Sequence, residues 1–394
     1  MDACGLDGLA SLVPINVYYL TDFWSEIMQA GFDASQAAVL PRHPDGPLML
    51  VCPALDLRNV INAGPSVDDI VTYTSAGEGG EAIPYRSWLT REGVPLTDRQ
   101  KLWISETARL TANPVANAVK GLVVAIERAG LSHGTIGVDD ERLLQWLPEA
   151  GLTKARLVPA RDSFNEIRLV KTEDEIELLR TAARINESAM MHCMGIIEEG
   201  MPWTEIEREY RTEMARQDGE AVYIQCAVGG MQHGKVTRGE PIMFDALGRY
   251  RHYHGDFGRS AVVGEPGPDV RERVRALEAG IEAAFAVIRP GQRYSDVIEQ
   301  ASTAIRKAGF PGQFRPPVLH CLGLHHTDDP GHPWGPSWAK PGDRVLEVDM
   351  VLNVDLPHVE IGWGAVHLED TIRITKDGCE RLTSEHTALR VIDA

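Results

Sequence analysis

Asp245 and Asp256 stand eleven residues apart in the segment FDALGRYRHYHGDFGRS, separated by glycine, aromatic and basic residues. Two carboxylates at this spacing meet if the chain folds back as a hairpin. Side chains alternate faces along a strand, so an odd separation puts the pair on opposite faces of one flat strand. A turn or bulge, with Gly248 and Gly255 as the candidate positions, is needed to bring both to one point. Carboxylates held that close repel and stay ionised together only beside a cation. Taken alone the pair also fits a solvated hairpin that binds nothing. Three further residues bear on the choice: His320 in VLHCLGLHH, Asp355 in MVLNVDLP and Glu369 in AVHLEDTIRIT. Each lies at the edge of a short apolar run that reads as a strand. Carboxylates and an imidazole offered from successive strands are a donor set for two divalent cations that share bridging ligands.

The elements that must present these residues are legible in outline. In IRLVKTEDEIELLRTAARINESAM, Thr172 followed by Glu175 has the spacing of a capping box, and Ile176, Leu179, Ala183 and Ile185 line one face of the helix it opens. Thr204 and Glu207 repeat that spacing for a second helix. AVYIQCAVGGMQHGKVTRGEPIMFDALG then reads as strand, glycine turn and strand, leading into Asp245. Upstream, GLDGLASLVPINVYYLTDFW reads as a short strand, a turn at Pro14 and a second apolar segment ending at Trp24. PLMLVC has the composition of a buried strand, and PVANAVKGLVVAIERAG, residues 114–130, has helical apolar spacing closed by a glycine before the strand-like GTIGVDD. Strand and helix in alternation make a mixed α/β layer. That half contains no cluster that carries chemistry.

Composition sets the outer limits. A chain of 394 residues with 43% hydrophobic content is long enough for two domains with separate cores. Thirty-nine basic against 57 acidic residues give a net charge of −18, which disfavours nucleic acid or an anionic membrane as partner. The six cysteines are scattered without a C-x-x-C pair and read as the reduced thiols of a cytoplasmic protein. No apolar run is long enough to span a bilayer, and the opening residues, with Asp2 and Asp7 and no Lys or Arg, do not read as a secretory signal.

Ordered as Asp, Asp, His, acid, Glu, the five candidate ligands resemble those of the pita-bread metallopeptidases. That group holds the Xaa-Pro aminopeptidases, prolidase and methionine aminopeptidase, with creatinase as a relative that has lost its metals. Tyr250, Tyr253 and Arg259 match the flanking pattern D-x-G-x-x-Y-x-G-Y-x-S-D-x-x-R, and IRLVKTEDEIELLRTAA resembles the helix that opens the family's catalytic domain. The amino-terminal part resembles a creatinase-type amino-terminal domain. The resemblance implies an α/β creatinase-like domain over residues 1–164, serving dimerisation and substrate access, and an α+β pita-bread catalytic domain over residues 165–394. It implies Asp245, Asp256, His320, Asp355 and Glu369 as metal ligands, with Asp355 where the family has Glu. His233, twelve residues before Asp245, falls where the family has a catalytic histidine. A second family histidine follows the ligand by seven residues, where this chain has Thr327. Either His326 supplies that catalytic function from a shifted position or the pocket recognises something else. His325, Tyr250 and Arg259 are the candidates for substrate contact, Arg259 equally as an ion-pair partner of the acidic site. Cys321 is a candidate for a soft-metal ligand or for a thiol that only fills space.

The expectation is therefore a cytoplasmic, homodimeric hydrolase that cleaves a small amide or peptide, by default an Xaa-Pro dipeptidase or aminopeptidase. Its nucleophile would be a hydroxide bridging two divalent cations, Mn first, with Zn, Co or Fe as alternatives. The departures at Leu247, Thr327 and Asp355 keep a second reading open. That reading is a non-peptidase of the same fold acting on a small molecule, as ectoine hydrolase, creatinase or the sulfoniopropionate lyases do.

Overall fold

The computed structural model describes residues 1–32, 34–77, 80–85, 89–228, 234–310, 317–330 and 343–393. The chain divides into two packed units, Met1–Phe164 and Asn165–Ala394. In the first, strands β1 (Gly8–Ser11), β2 (Ala37–Pro41), β3 (Met49–Pro53), β4 (Asp69–Tyr73), β5 (Thr135–Val138) and β6 (Arg156–Pro159) form a mixed sheet in the order β4-β3-β2-β1-β5-β6. The unbroken apolar run of β3 follows from its position, because a strand covered on both faces has no face to give to polar residues. Helix Ala118–Arg128 packs Leu122, Val123, Ala125 and Ile126 onto this sheet, and Gly130 ends its turn at φ +75°. Pro14 does not make a turn. It opens helix Pro14–Thr21 from the first turn, where its missing N–H costs nothing. The buried Asp139 carboxylate at the end of β5 accepts from Leu12 N at 2.9 Å and Asn16 Nδ2 at 2.8 Å, which ties the start of that helix to the sheet.

The second unit is built on β7 (Glu220–Val228), β8 (Ile242–Tyr250), β9 (Tyr253–Val263), β10 (Val318–Cys321), β11 (Val351–Glu360), β12 (Gly364–Ile374), β13 (Cys379–Arg381) and β14 (Leu389–Ile392). They form one sheet in the order β10-β11-β12-β9-β8-β7, antiparallel throughout, with β13 added antiparallel to β12 and β14 parallel to β9. Four helices cover one face. Glu173–Ile196 and Trp203–Arg216 bury Ile224, Phe244, Ala246 and Phe257; Pro268–Val287 and Tyr294–Lys307 bury Leu319, Leu352, Val354 and Leu368. Each of these side chains other than Ala246 contributes about 1.5–3 kcal/mol on leaving water. The Thr172–Glu175 capping box is present as read. The helix at Trp203 starts one residue before Thr204, from Pro202, and has no side-chain cap, so the repeated spacing there is incidental.

The hairpin β8–β9 closes through Arg251 and His252, both left-handed at φ 46° and 69°, the conformation that a two-residue hairpin turn demands. Neither Gly248 nor Gly255 makes the turn. They pair with each other across the hairpin on its helix-covered face. A Cβ on Gly255 would overlap the Ala182 carbonyl and stand 2.6 Å from Ala183 N, and one on Gly248 would strike the Met214 methyl. The glycines let the helix layer approach.

Candidate metal centre

Strand register decides which side chains share the uncovered face. Asp245 pairs with Gly258 and Leu247 with Asp256, so the two aspartates are diagonal neighbours on one face; the two-residue turn converts their odd separation into a same-face pair. Gly258 pairs with Glu369, Glu369 with Asp355, and Asn353 with His320. Asp245, Asp256, His320, Asp355 and Glu369 thus lie together on the face opposite the helices.

Two groups of donor atoms converge among the described residues: Asp256, His320 and His326, and Asp245, His367 and Glu369, the atoms of each group lying within 4.8 Å of one another. His326 Nε2 is 2.9 Å and His320 Nε2 3.9 Å from Asp256 Oδ2. His367 Nε2 is 2.6 Å from Asp355 Oδ1 and 3.7 Å from Glu369 Oε2. Asp256 Oδ1 and Glu369 Oε2 are buried with no hydrogen-bond partner. Buried carboxylate oxygens without a donor are expensive unless something positive is to meet them. Together with the imidazoles around them they fit divalent cations. The supporting groups fix the acids in place. Asn353 Nδ2 donates to Glu369 Oε1 at 2.8 Å, and the Thr371 hydroxyl sits 2.8 Å from the Asp256 carbonyl and 2.6 Å from Asn353 Oδ1.

The charges press on one another. Burial, with Asp256 and Asp355 adding to it, pushes Asp245 up to about 7 against the opposing His367. Burial and the same neighbours raise Glu369 well above the ordinary carboxylate range. Asp256 goes the other way, since its contact with His326 outweighs the burial that would raise it. Burial alone would lower His367, but Asp355 and Asp245 hold it at about 9. A cluster in which some acids gain protons while a histidine keeps one is short of positive charge.

The remaining expected residues fall in different places. His233 lies outside the described residues. His326 points at Asp256, while His325 stands against Arg168 Nη2 at 2.9 Å and Asp328 Oδ1 at 3.6 Å. Tyr250 and Arg259 do not share the face of the acids. Tyr250 packs with the helix-side core. Arg259 is 1% exposed; its guanidinium meets Asp370 at 2.6 Å and the carbonyls of Gly258, Glu369 and Glu385. This is the placement of an ion-pair partner, one of the two expectations for it. Cys321 faces the helix layer, 3.2 Å from the Tyr294 hydroxyl.

Three contributors escaped the sequence reading. His367 is two residues before Glu369 and therefore on its face, a signal that alternation alone offers. Gly258 leaves room for it, because a Cβ there would overlap the His367 ring. Tyr223 on β7 is paired with Leu247; burial and the fields of Asp245, Asp256, Glu369 and Asp355 raise its phenol far above the ordinary value, so it remains a hydroxyl. Asp328, 1% exposed, binds Arg168 Nη2 at 2.9 Å and Lys171 Nζ at 3.4 Å, and so anchors the loop that carries His326.

Comparison with known proteins agrees with this architecture. An Xaa-Pro dipeptidase of Pyrococcus furiosus is 28% identical over 239 residues, 58% of this chain and 67% of that protein. An uncharacterized peptidase of Staphylococcus aureus is 23% identical over 382 residues, 94% of this chain and 92% of that protein. Among solved structures, an Xaa-Pro dipeptidase from Bacillus anthracis superposes with a TM-score of 0.72 at 19% identity, covering 99% of this chain and 96% of the other. The prolidase from Pyrococcus horikoshii gives 0.70 at 18% identity, covering 98% and 96%. These likenesses establish an α/β amino-terminal domain followed by the pita-bread fold. The profile of metallopeptidase family M24 matches residues 177–376, the span that carries every strand of the site, and the chain belongs to that family.

Proposed function

We propose that the chain is a metal-dependent hydrolase of small amides, by default an Xaa-Pro dipeptidase or aminopeptidase. The observation that carries this is the face shared by Asp245, Asp256, His320, Asp355 and Glu369, with two buried carboxylate oxygens that have no hydrogen-bond partner. The relatives named as Xaa-Pro dipeptidases support the choice of substrate class.

Divalent cations, when bound, supply Lewis acidity to a carbonyl and bring the pKa of a water towards neutrality. The protein's own groups do the rest. Asp245, Asp256 and Glu369 set the position of that positive charge on rigid strands. Tyr223, held as a hydroxyl, donates to the oxygen that gains charge as the carbonyl carbon becomes tetrahedral. Asp355, bonded to His367, takes the proton of the attacking water and delivers it to the leaving nitrogen. Residues 1–164 serve dimerisation and substrate access. The six free cysteines suit a reducing compartment, and no helix among the described residues is long and apolar enough to cross a membrane.

The test is proline release from a panel of Xaa-Pro dipeptides and tripeptides, with Asp256→Ala as blank. Activity that disappears in the variant is expected. Silence across the panel with metal bound would overturn the peptidase assignment and favour a small-molecule hydrolase or lyase of the same fold, with Thr327 in the family's histidine position as its mark.

A further inference from the structure

The histidines of the site are oriented as ligands are. His320 Nδ1 lies 3.1 Å from the His326 carbonyl, and His367 Nδ1 lies 3.1 Å from the Phe244 carbonyl. A carbonyl only accepts, so both Nδ1 atoms carry protons; a lone pair for a cation is then left to Nε2 in each ring, directly in neutral His320 and, in His367, once the proton shared with Asp355 at 2.6 Å is given up. His320 Nε2 lies 3.9 Å from Asp256 Oδ2, a carboxylate whose other oxygen, Oδ1, has no hydrogen-bond partner, and His367 Nε2 lies 3.7 Å from Glu369 Oε2, which has none either. This is the tautomer and orientation a backbone carbonyl imposes on a metal-binding imidazole. His326 supplies the orienting carbonyl for His320 and aims its own Nε2 at Asp256. Its loop is not free to wander, because Asp328, two residues on, is buried between Arg168 and Lys171.

The separations are close to those of shared cations. Donor atoms about 2.0–2.1 Å from one ion are about 2.8–3.4 Å from each other at adjacent corners of an octahedron or tetrahedron. Asp256 stands 2.9 Å from His326, inside that range, while its 3.9 Å to His320 and the 3.7 Å between Glu369 and His367 exceed it by no more than about 0.5 Å. Asp355, one methylene shorter than glutamate, is engaged with His367 and joins neither group.

We propose that the centre is held by three imidazoles, those of His320, His326 and His367, in two unlike halves: Asp256 with His320 and His326, and Asp245 with Glu369 and His367. This rests on the metal-dependent reading above. A set with three nitrogens favours cobalt, zinc or iron over manganese more strongly than an oxygen set with one imidazole does.

The experiment uses the full chain, stripped with chelator and reloaded with Co²⁺. X-ray absorption at the cobalt edge counts imidazoles, with three per two ions expected and one per two overturning the proposal. In parallel, Co²⁺ and Mn²⁺ affinities are measured by chelator competition for wild type, His326→Gln and His367→Gln. Each variant is expected to lose cobalt affinity about tenfold or more at one binding step, with a smaller loss for manganese. An unchanged cobalt-to-manganese ratio in both variants overturns the proposal. The absorption count needs only wild-type protein, so a variant that fails to fold leaves it decisive. Wild-type protein that binds no Co²⁺ removes the metal-dependent function along with this inference. Protein that binds two ions and cleaves amides but shows one imidazole per pair removes the inference alone.

Discussion

Replacing Asp328 by Asn isolates the buried charge cluster beneath the His326 loop. Arg168, Lys171 and Asp328 are each 1% exposed, with separations of 2.9 and 3.4 Å. At an effective dielectric of 20, each attraction over about 3 Å is worth roughly 5 kcal/mol before desolvation is set against it. The amide removes both attractions and leaves two buried cations facing each other. Breaking a buried pair in this way costs about 3–5 kcal/mol. At about 2–4 °C per kcal/mol for a domain of this size, the melting transition of the catalytic unit falls by roughly 6–20 °C. Lys171→Met removes one attraction but also one of the two like charges, so its loss is smaller, under about 2 kcal/mol, and adding it to Asp328→Asn restores part of the stability. Calorimetry of the intact chain reads all three variants. An Asp328→Asn cost within about 1 kcal/mol of zero, or a Lys171→Met cost as large as it, refutes the charge-counting argument. The pH dependence follows from the direction of the shift. Burial would raise Asp328, but Arg168 and Lys171 outweigh it and hold the carboxyl far below its ordinary range. The stabilisation is therefore fully present above the unfolded value near ~3.9 and is lost only as pH falls towards the lower folded value. The gap between wild type and Asp328→Asn stays level from neutral pH down to that region.

Gly258→Ala drives a Cβ into the His367 ring and to 2.9 Å from the Glu369 Cβ. Equilibrium dialysis is expected to show about a tenfold loss of metal affinity with an overpacking cost of about 1–3 kcal/mol, and unchanged binding would exclude His367 from the site. Arg259→Lys loses the planar fork between Asp370 and the carbonyls, so thermal stability drops by a few degrees while KM of the folded enzyme holds; a raised KM without loss of stability would restore a substrate role. Burial holds His254 down to about 4, so acid titration between about pH 6.5 and 4 removes on the order of 3 kcal/mol as the unfolded chain takes the proton first. That slope is expected to flatten in His254→Asn, and equal slopes would show that His254 is not the group responsible.

Where sequence spacing coincides with strand or helix geometry, it located the parts. The Thr172–Glu175 cap lies next in sequence to the helix it starts, and the five residues expected as ligands each sit in an apolar run that forms a strand. Strand alternation also sorts the neighbours of these acids. Once Asp245 and Asp256 share a face, Tyr250 and Arg259 must lie on the other, and His367 must join Glu369. Spacing also misled at Thr204, where the cap pattern recurs without a cap, and at Pro14, where a proline suited to a turn is equally suited to a helix start. Nothing local announces that Arg168 meets Asp328, 160 residues away, or that Tyr223 stands in the field of four acids, since both depend on how the sheet is assembled.

The central claim is that the shared face of the sheet holds divalent metal. The most direct measurement is metal content by mass spectrometry after chelation, reloading and desalting, on wild type and Asp256→Ala side by side. The account predicts two ions per wild-type chain and a clear deficit in the variant. Wild-type protein that retains close to none, or a variant that retains as much, would contradict it.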